Sequence, residues 1–536
     1  MALVFPEEES QALSTLGWQG VYRELTADNG FIVERYFWDR RNNQALSPDS
    51  DRRLGIFPLI CFSLNFEGDY LRLINMLRAE DLPVRSADRG DWPLIMAGGP
   101  IAFLNPFPVL PSLDFVFVGE SEDRFAKIAL IIRESWLSGQ SGPEALKQVS
   151  PRPGILIQGQ RHKVRKQISY DQANLLPSPV HSSFISSKAV FRDSFLVEIN
   201  RGCPYGCRFC AAGFIYRPPR SAHLARVKKI IQAAAPRKVG LVGTALTDWP
   251  DLKQLLAWLH RKKIKFSLAS MRADGLDRTF LEFLRNTGTR TITLAVEGIS
   301  RTLRTAANKH FDEEKFFTAV ENISDLRFNT LKLYFILGLP GENLSDLDEL
   351  ALFLEKLEKA RQSGKGGKQK GVDLISISAS MFVPKPWTPL QWASMDSEQS
   401  FQEKTSVFKK MCSSYRGLTF KAEKASAARI QGLLSRGDQK VHDLLLLASE
   451  YGDSWRKALK TWTGKMEDYV DREFPAETCF AWDIIDIGVD KKYLFQEWKK
   501  YNLALMTSPC DHHPCSQCRR CGMDGFLQEQ ERVDRT

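Results

Sequence analysis

The chain has 536 residues, 43% of them hydrophobic and 26% charged, an ordinary globular composition with apolar material for several domains. That composition excludes wholesale disorder, collagen and coiled coil. The net charge of +10 is small for this length, and it reads as a solubilising surface at least as readily as an affinity for acidic partners such as nucleic acid.

Residues 1–148 alternate short apolar runs (ALVF, LICFSLNF, PLIMAGGP, DFVFVGE) with helix-like stretches such as Tyr70 to Ala79. This rhythm predicts an α/β domain, an open doubly wound (Rossmann-like) parallel sheet with helices on both faces. The uncharged stretch from Trp92 to Leu113 is broken by Pro93, Pro100, Pro106, Pro108 and Pro111, so it is no membrane helix. Glu7, Glu8 and Glu9 follow the first residues where a signal peptide would be basic and then apolar, so a cytoplasmic location is expected. Small and polar residues end the apolar runs: Ser63, Gly98 with Gly99, and Gly119 with Glu120. At the carboxyl ends of a parallel sheet such loops form a crevice for a nucleotide-like ligand.

Residues 149–190, rich in Pro, Ser, Lys and Arg, predict a linker with room for one short hairpin. A second alternation fills 191–395, with candidate strands FLVEIN, VGLVG, FSLAS, TITLAV, LKLYFIL and DLISISAS. Six βα units predict a partial (β/α)6 TIM-like barrel, whose functional residues gather at the carboxyl ends of its strands. The segment SGKGGKQKG reads as a flexible solvated link. Residues 396–505 predict a mainly helical region and 506–536 a Cys-rich tail, with no solenoid repeat.

The cysteines are unevenly spread, and there are too few of them for a disulfide scaffold. Cys61, Cys412 and Cys479 stand alone and read as buried small apolar residues. Cys203, Cys207 and Cys210 stand in C-x3-C-x2-C spacing after an apolar strand, on a loop containing Gly202, Pro204 and Gly206. Three thiolates on a tight loop can hold three irons of a cubane cluster and leave the fourth open for chemistry. A zinc site with three cysteines would need a histidine close by, and the nearest, His223, lies beyond the loop. In the tail, CDHHPCSQCRRCG sets Cys510, Cys515, Cys518 and Cys521 as ligands of either a second iron–sulfur cluster or zinc. His512 and His513 are bystanders in the first case and available ligands in the second.

The motif RGCPYGCRFC on the first strand of a six-unit barrel resembles that of the radical S-adenosylmethionine (SAM) superfamily. The resemblance implies a 4Fe-4S cluster on Cys203, Cys207 and Cys210 whose open iron binds the amino and carboxylate groups of SAM. It also implies an external one-electron reductant of flavodoxin or ferredoxin type, and reductive cleavage of SAM to a 5′-deoxyadenosyl radical that abstracts hydrogen from a substrate. It places Phe209 against the adenine, Arg272 and Glu297 at strand ends that meet SAM, and YFILGLPGEN beneath the adenine, where Gly338, Pro340 and Gly341 allow close approach. Without the resemblance, Arg272 and Glu297 read as a mutual ion pair. Gly243-Thr244-Ala245 stands where many members carry Gly-Gly-Glu, which leaves the contact to the SAM amino group unassigned.

Nearly the whole chain resembles the cobalamin (B12)-binding-domain subgroup of that superfamily, through MALVFP, STLGWQGVY, LICFSLNF, PLIMAGGP and FVGESED in the first domain, and RGCPYGCRFCAAGFIYRPPR, FVPKPWTPLQW, SRGD and the tail beyond it. No histidine precedes His162, so the Asp-x-His-x-x-Gly signature of many B12 domains is absent. Cobalamin then binds without a protein imidazole, or the domain is a relic. The resemblance implies methyl transfer to an unactivated carbon or phosphorus centre of a substrate left open, RNA included; ring-forming and rearranging members also exist. The rivals are an RNA-modifying methylthiotransferase and a non-catalytic iron–sulfur carrier or binding protein. Arg201, Arg208, Arg217, Arg220 and Arg226 either meet the SAM carboxylate or a phosphate, or neutralise the cluster. FVPKPWTPLQW either lines the substrate entrance or is a rigid packing element.

Overall fold

The computed structural model describes residues 1–27, 30–122, 124–171, 175–268, 271–365, 371–510 and 515–535. Ala269 and Ser270 of the FSLAS run, most of the SGKGGKQKG link, and both tail histidines, His512 and His513, lie outside the described residues.

The first sheet consists of β1 (Ala2–Phe5), β2 (Glu34–Asp39), β3 (Gln44–Leu46), β4 (Leu59–Ser63), β5 (Leu94–Gly98), β6 (Phe115–Phe117) and β7 (Ile155–Leu156), in the order β3-β2-β1-β4-β5-β6-β7. The inner five strands run parallel, and the edges β3 and β7 are antiparallel. The chain reverses direction between β1 and β4, and in doubly wound sheets ligands bind at such a switch point, beyond the carboxyl ends of the strands. Both faces are buried because successive side chains alternate. Ala2 and Val4 enter the core that runs on into the barrel, whereas Leu3 and Phe5 enter a separate core under the helices Leu16–Ala27 and Phe125–Leu137. Strand β2 has no clear alternation in the sequence, since Glu34, Arg35 and Asp39 interrupt its aromatic run; pairing with β1 makes it a strand.

The linker carries β8 (Val164–Arg165), but β7 and β8 do not form a hairpin together: β7 completes the first sheet and β8 pairs elsewhere. The second unit begins with β9 (Phe195–Glu198), followed by the short β10 (Asn200–Arg201) and β11 (Arg220–Ser221), which pair antiparallel and close the base of the loop between them. Six more strands follow: β12 (Lys238–Val242), β13 (Lys265–Ser267), β14 (Thr291–Glu297), β15 (Thr330–Leu337), β16 (Leu374–Met381) and β17 (Leu418–Ala422). They form two parallel arcs with β9, β13-β12-β9 and β14-β15-β16-β17, joined by a parallel bridge from Met271 to Leu294. The partial barrel therefore has a strand beyond the six expected, because β17 extends it into the region read as helical. The last strand, β18 (Ile485–Asp486), pairs with β8 and ties the carboxyl-terminal region to the linker.

The helices start where the sequence supplies caps. Asp277, Ser300, Asp312 and Ser397 each accept a backbone N–H of the first turn. Cys61 and Cys412 are buried as expected, but Cys479 is exposed, since it lies in a turn ahead of Trp482. Among the described residues no helix is long and apolar enough to cross a membrane. In the barrel core, Phe335 on β15 meets Phe353 and Phe408 edge-on, at ring centroids 6.1 and 5.3 Å apart. Phe335→Ala is expected to cost about 3–5 kcal/mol, read as a lower midpoint in denaturant unfolding with an unchanged slope.

Candidate functional site

The loop of Cys203, Cys207 and Cys210 leaves the carboxyl end of β9 and is shaped by two residues that only glycine suits. Gly202 has φ +84°, and a Cβ there would meet the Tyr216 carbonyl at 2.5 Å; Gly206 has φ +62°. Between the last two cysteines Arg208 turns inward and is fully buried. Its guanidinium bonds Glu497 at 2.9 Å and the carbonyls of Ala306 and Leu505. Backbone N–H groups face the sulfurs, that of Tyr205 at Cys203 and those of Ala212 and Gly213 at Cys210. Burial pushes the Cys203 thiol up to about 11 and Cys207 to about 12, with neighbouring cysteines contributing at both.

Among the described residues no three Cys, His or carboxylate side chains converge on one metal ion. A cubane does not require that, because each cysteine binds a different iron. The residues present thus fit a cluster: three cysteines on one short loop, amides directed at their sulfurs, and a loop held by Arg208 on Glu497.

Other strand ends converge on this loop. Glu297 ends β14 at a register shift with φ +73° and pairs with Lys309 at 3.4 Å; both charges act on Cys207 and Cys210. Arg272 lies 3.8 Å over the ring of Tyr205, a loop residue, and bonds Asp274 and the His310 carbonyl. The mutual pair of Arg272 and Glu297 does not form, since each has a nearer partner. Phe209 is half-buried beside Cys210. Gly338, with φ +77°, directs its N–H to Glu342 at 2.8 Å, and a Cβ there would strike Asp396. Thr244 donates its hydroxyl to the Gly202 carbonyl at 2.6 Å and so props the base of the loop.

The five first-domain positions, Ser63, Gly98, Gly99, Gly119 and Glu120, line one cavity of about 680 Å³. This is within the size range of small-molecule sites. Its far wall is made by the barrel residues Glu198, Asn200, Arg201, Gly243 and Thr244, and its side by Gly17, Gly20 and Arg23 of the helix Leu16–Ala27. The cavity therefore opens onto the base of the cysteine loop. Gly99, at φ +95°, lies against the Leu64 carbonyl, and Gly119 against Gln167, so neither tolerates a side chain; a Cβ on Gly98 would meet nothing within 4 Å. No histidine is among the lining residues. The sequence offered no direct sign of the barrel wall or of Asn308, whose amide donates to the carbonyls of Tyr205 and Gly206.

Of the loop arginines, Arg201 bonds Glu198, Glu120 and Glu122, and Arg220 grips Glu120 through both nitrogens at 2.6 and 2.7 Å. Arg226 bonds the Pro177 carbonyl. Their charges are thus taken up by the chain itself. Trp387 and Trp392 of FVPKPWTPLQW are buried, and Lys385 pairs with Glu67 of the first domain, so that stretch packs the domains together.

Residues 17–157 match the family described as radical SAM proteins, N-terminal, and residues 197–354 match the radical SAM superfamily. The chain thus carries a radical SAM domain, preceded by the amino-terminal domain of such proteins. It is 25% identical over 453 residues to the uncharacterized protein MJ0966 of Methanocaldococcus jannaschii, covering 83% of this chain and 90% of that one. Among solved structures, the radical S-adenosylmethionine methyltransferase TsrM from Kitasatospora setae, with tryptophan substrate and a SAM analog bound, aligns over 99% of both chains at 13% identity and TM-score 0.51. The cobalamin-dependent S-adenosylmethionine radical enzyme OxsB aligns over 99% of this chain and 80% of its own at 15% identity and TM-score 0.48. The likeness to TsrM is one of fold. As a radical SAM enzyme the protein works with a 4Fe-4S cluster, SAM, an external reductant and a substrate.

The pairs that Glu120 makes hold its carboxyl well below the usual range, with Arg220 the largest opponent of its desolvation and Arg201 next. A group so depressed stabilises the fold above its unfolded pKa and loses that contribution as pH falls. Glu120→Ala, which strands the buried Arg220, is expected to cost about 3–5 kcal/mol. The variant should also lack the part of the acid-side fall in stability that the wild type shows below the ordinary carboxyl range, measured by unfolding at stepped pH.

Proposed function

We propose that this radical SAM enzyme is a cytoplasmic cobalamin-dependent methyltransferase, reduced by a protein of flavodoxin or ferredoxin type. The observation that carries the reading is the cavity shared between the strand ends of the first domain and the base of the cysteine loop. A cofactor held there would lie against Arg201, Tyr216 and Thr244, the residues at the base of the loop that carries the cluster ligands. Its apolar floor (Cys61, Met96, Phe117), the open space over Gly98 and the polar rim of Ser63, Asn65 and Ser121 fit a large flat ring with amide arms. No histidine lines the cavity, so cobalamin held there would have no protein imidazole to bind.

When bound, the cluster with SAM supplies a radical able to break a C–H bond, and cobalamin supplies a methyl carrier. The chain's own residues would hold and shield these groups. Cys203, Cys207 and Cys210 would ligate the cluster. Phe209, Arg272 and Glu297, at or beside the loop, and Gly338, at the carboxyl end of β15, would border SAM. Ser63, Gly98, Gly99, Gly119 and Glu120 would form the cobalamin cradle, with Glu120 acting through Arg201 and Arg220. Walls from both domains would shield part of a group held in the cavity from water.

The direct test is anaerobic purification from a host supplied with cobalamin, followed by incubation with SAM and a strong reductant. Release of 5′-deoxyadenosine and S-adenosylhomocysteine with about one cobalt and at least about four irons per chain is the expected result; iron without cobalt would remove the methyl-transfer reading. Changing Cys203, Cys207 and Cys210 together to Ala should abolish SAM cleavage. Gly98→Ile should place a side chain in open cavity space, lowering cobalt content about tenfold or more while iron content and the unfolding midpoint hold.

A further inference from the structure

The four tail cysteines lie on the back of the cysteine loop. Cys510, Cys515, Cys518 and Cys521 line one small pocket together with Pro204, Tyr205 and Gly206. The Cys510 N–H donates to the Pro204 carbonyl at 2.7 Å, and Thr507 donates to Asn308, which itself holds Tyr205 and Gly206. Cys515 and Cys521 are buried. The Cys515 thiol is within hydrogen-bonding reach of Cys510, with Cys518 and Cys521 around it.

Two features indicate what the pocket takes. Cys510 and Cys515 bring their sulfurs within hydrogen-bonding distance of each other, the spacing of two thiolates on one ion, whereas the cysteines of a cubane each bind a different iron. Arg217 is buried against it, bonding the Gly213 carbonyl and lying over the rings of Phe214 and Tyr493, with the Cys521 and Cys510 thiols beside it. A buried guanidinium needs an anion. Four thiolates around a divalent ion carry net negative charge and supply one, while free thiols do not.

We infer that Cys510, Cys515, Cys518 and Cys521 close on a single zinc ion, and that this closed site latches the tail against the loop of Cys203, Cys207 and Cys210. A four-thiolate tetrahedron leaves no open position, so the site is structural, and binding releases the thiol protons. As placed, no three of the described side chains converge on one ion, so ligation draws the thiols inward. The inference is independent of what the large cavity binds.

The test is the zinc content of the full chain, with cobalt(II) replacing zinc as a spectroscopic probe. About one zinc per chain is expected in the wild type and in the Cys203→Ala, Cys207→Ala, Cys210→Ala variant, and none in Cys515→Ser, Cys518→Ser. Cobalt(II) should give the visible bands of a tetrahedral thiolate site in the wild type, a readout that stands even if the serine variant fails to fold. Where that variant folds, amide exchange at residues 204–210 should quicken by about tenfold or more. Roughly four irons retained by the triple alanine variant in place of zinc would overturn the inference in favour of a second cluster. Absence of both metals would overturn it in favour of free thiols.

Discussion

One buried charge network holds the two halves of the molecule in register. Glu120, at the carboxyl end of the first sheet, takes Arg220 through both oxygens, Arg201 through one, and the Ser169 N–H. Arg201 and Arg220 flank the cysteine loop as the paired strands β10 and β11. The same carboxylate thus fixes the first domain to both ends of the loop that carries the chemistry. Such a network costs desolvation, and its value lies in geometry, since bidentate pairing admits one arrangement. Lys166, buried beside it with its ammonium on the Ile215 carbonyl, is pushed down to about 7, mainly by burial.

The cysteine loop is anchored by contacts from several parts of the chain. The first domain holds its ends, Thr244 props its base, Asn308 holds Tyr205 and Gly206, and Glu497 of the helix Lys491–Asn502 fixes Arg208 from behind. Four regions far apart in the chain thereby set the position of three sulfurs. A site on a loop gains the precision of one built on regular elements only through this kind of support.

The large cavity owes its shape to the same joint. Neither half encloses it alone: the first sheet supplies a glycine-lined floor and the barrel supplies a polar far wall. Gly99 and Gly119 are required because neighbouring backbone comes within contact distance of where a Cβ would be. Gly98 is required by neither, and its open side is the part of the cradle left for a ligand.

Much of this was legible in the sequence. The apolar runs located β1, β4, β5, β6 and all six expected barrel strands: the first-domain strands are buried on both faces and read as continuous apolar runs, whereas β14, β15 and β16 alternate buried with more open positions. The cysteine spacing and the glycines around it identified the loop, since both are demands of local geometry. Local sequence did not disclose β2, whose charges mask it, or β17, which lies among helices. Nor did it disclose the partners of Arg201, Arg208 and Arg220: long side chains find carboxylates tens or hundreds of residues away, and nothing in their neighbours along the chain names which. The sequence by itself determined which residues can bind metal and where strands end. Only the tertiary structure decided which of them share a cavity, because that depends on how two domains meet, through contacts that have no period and no motif.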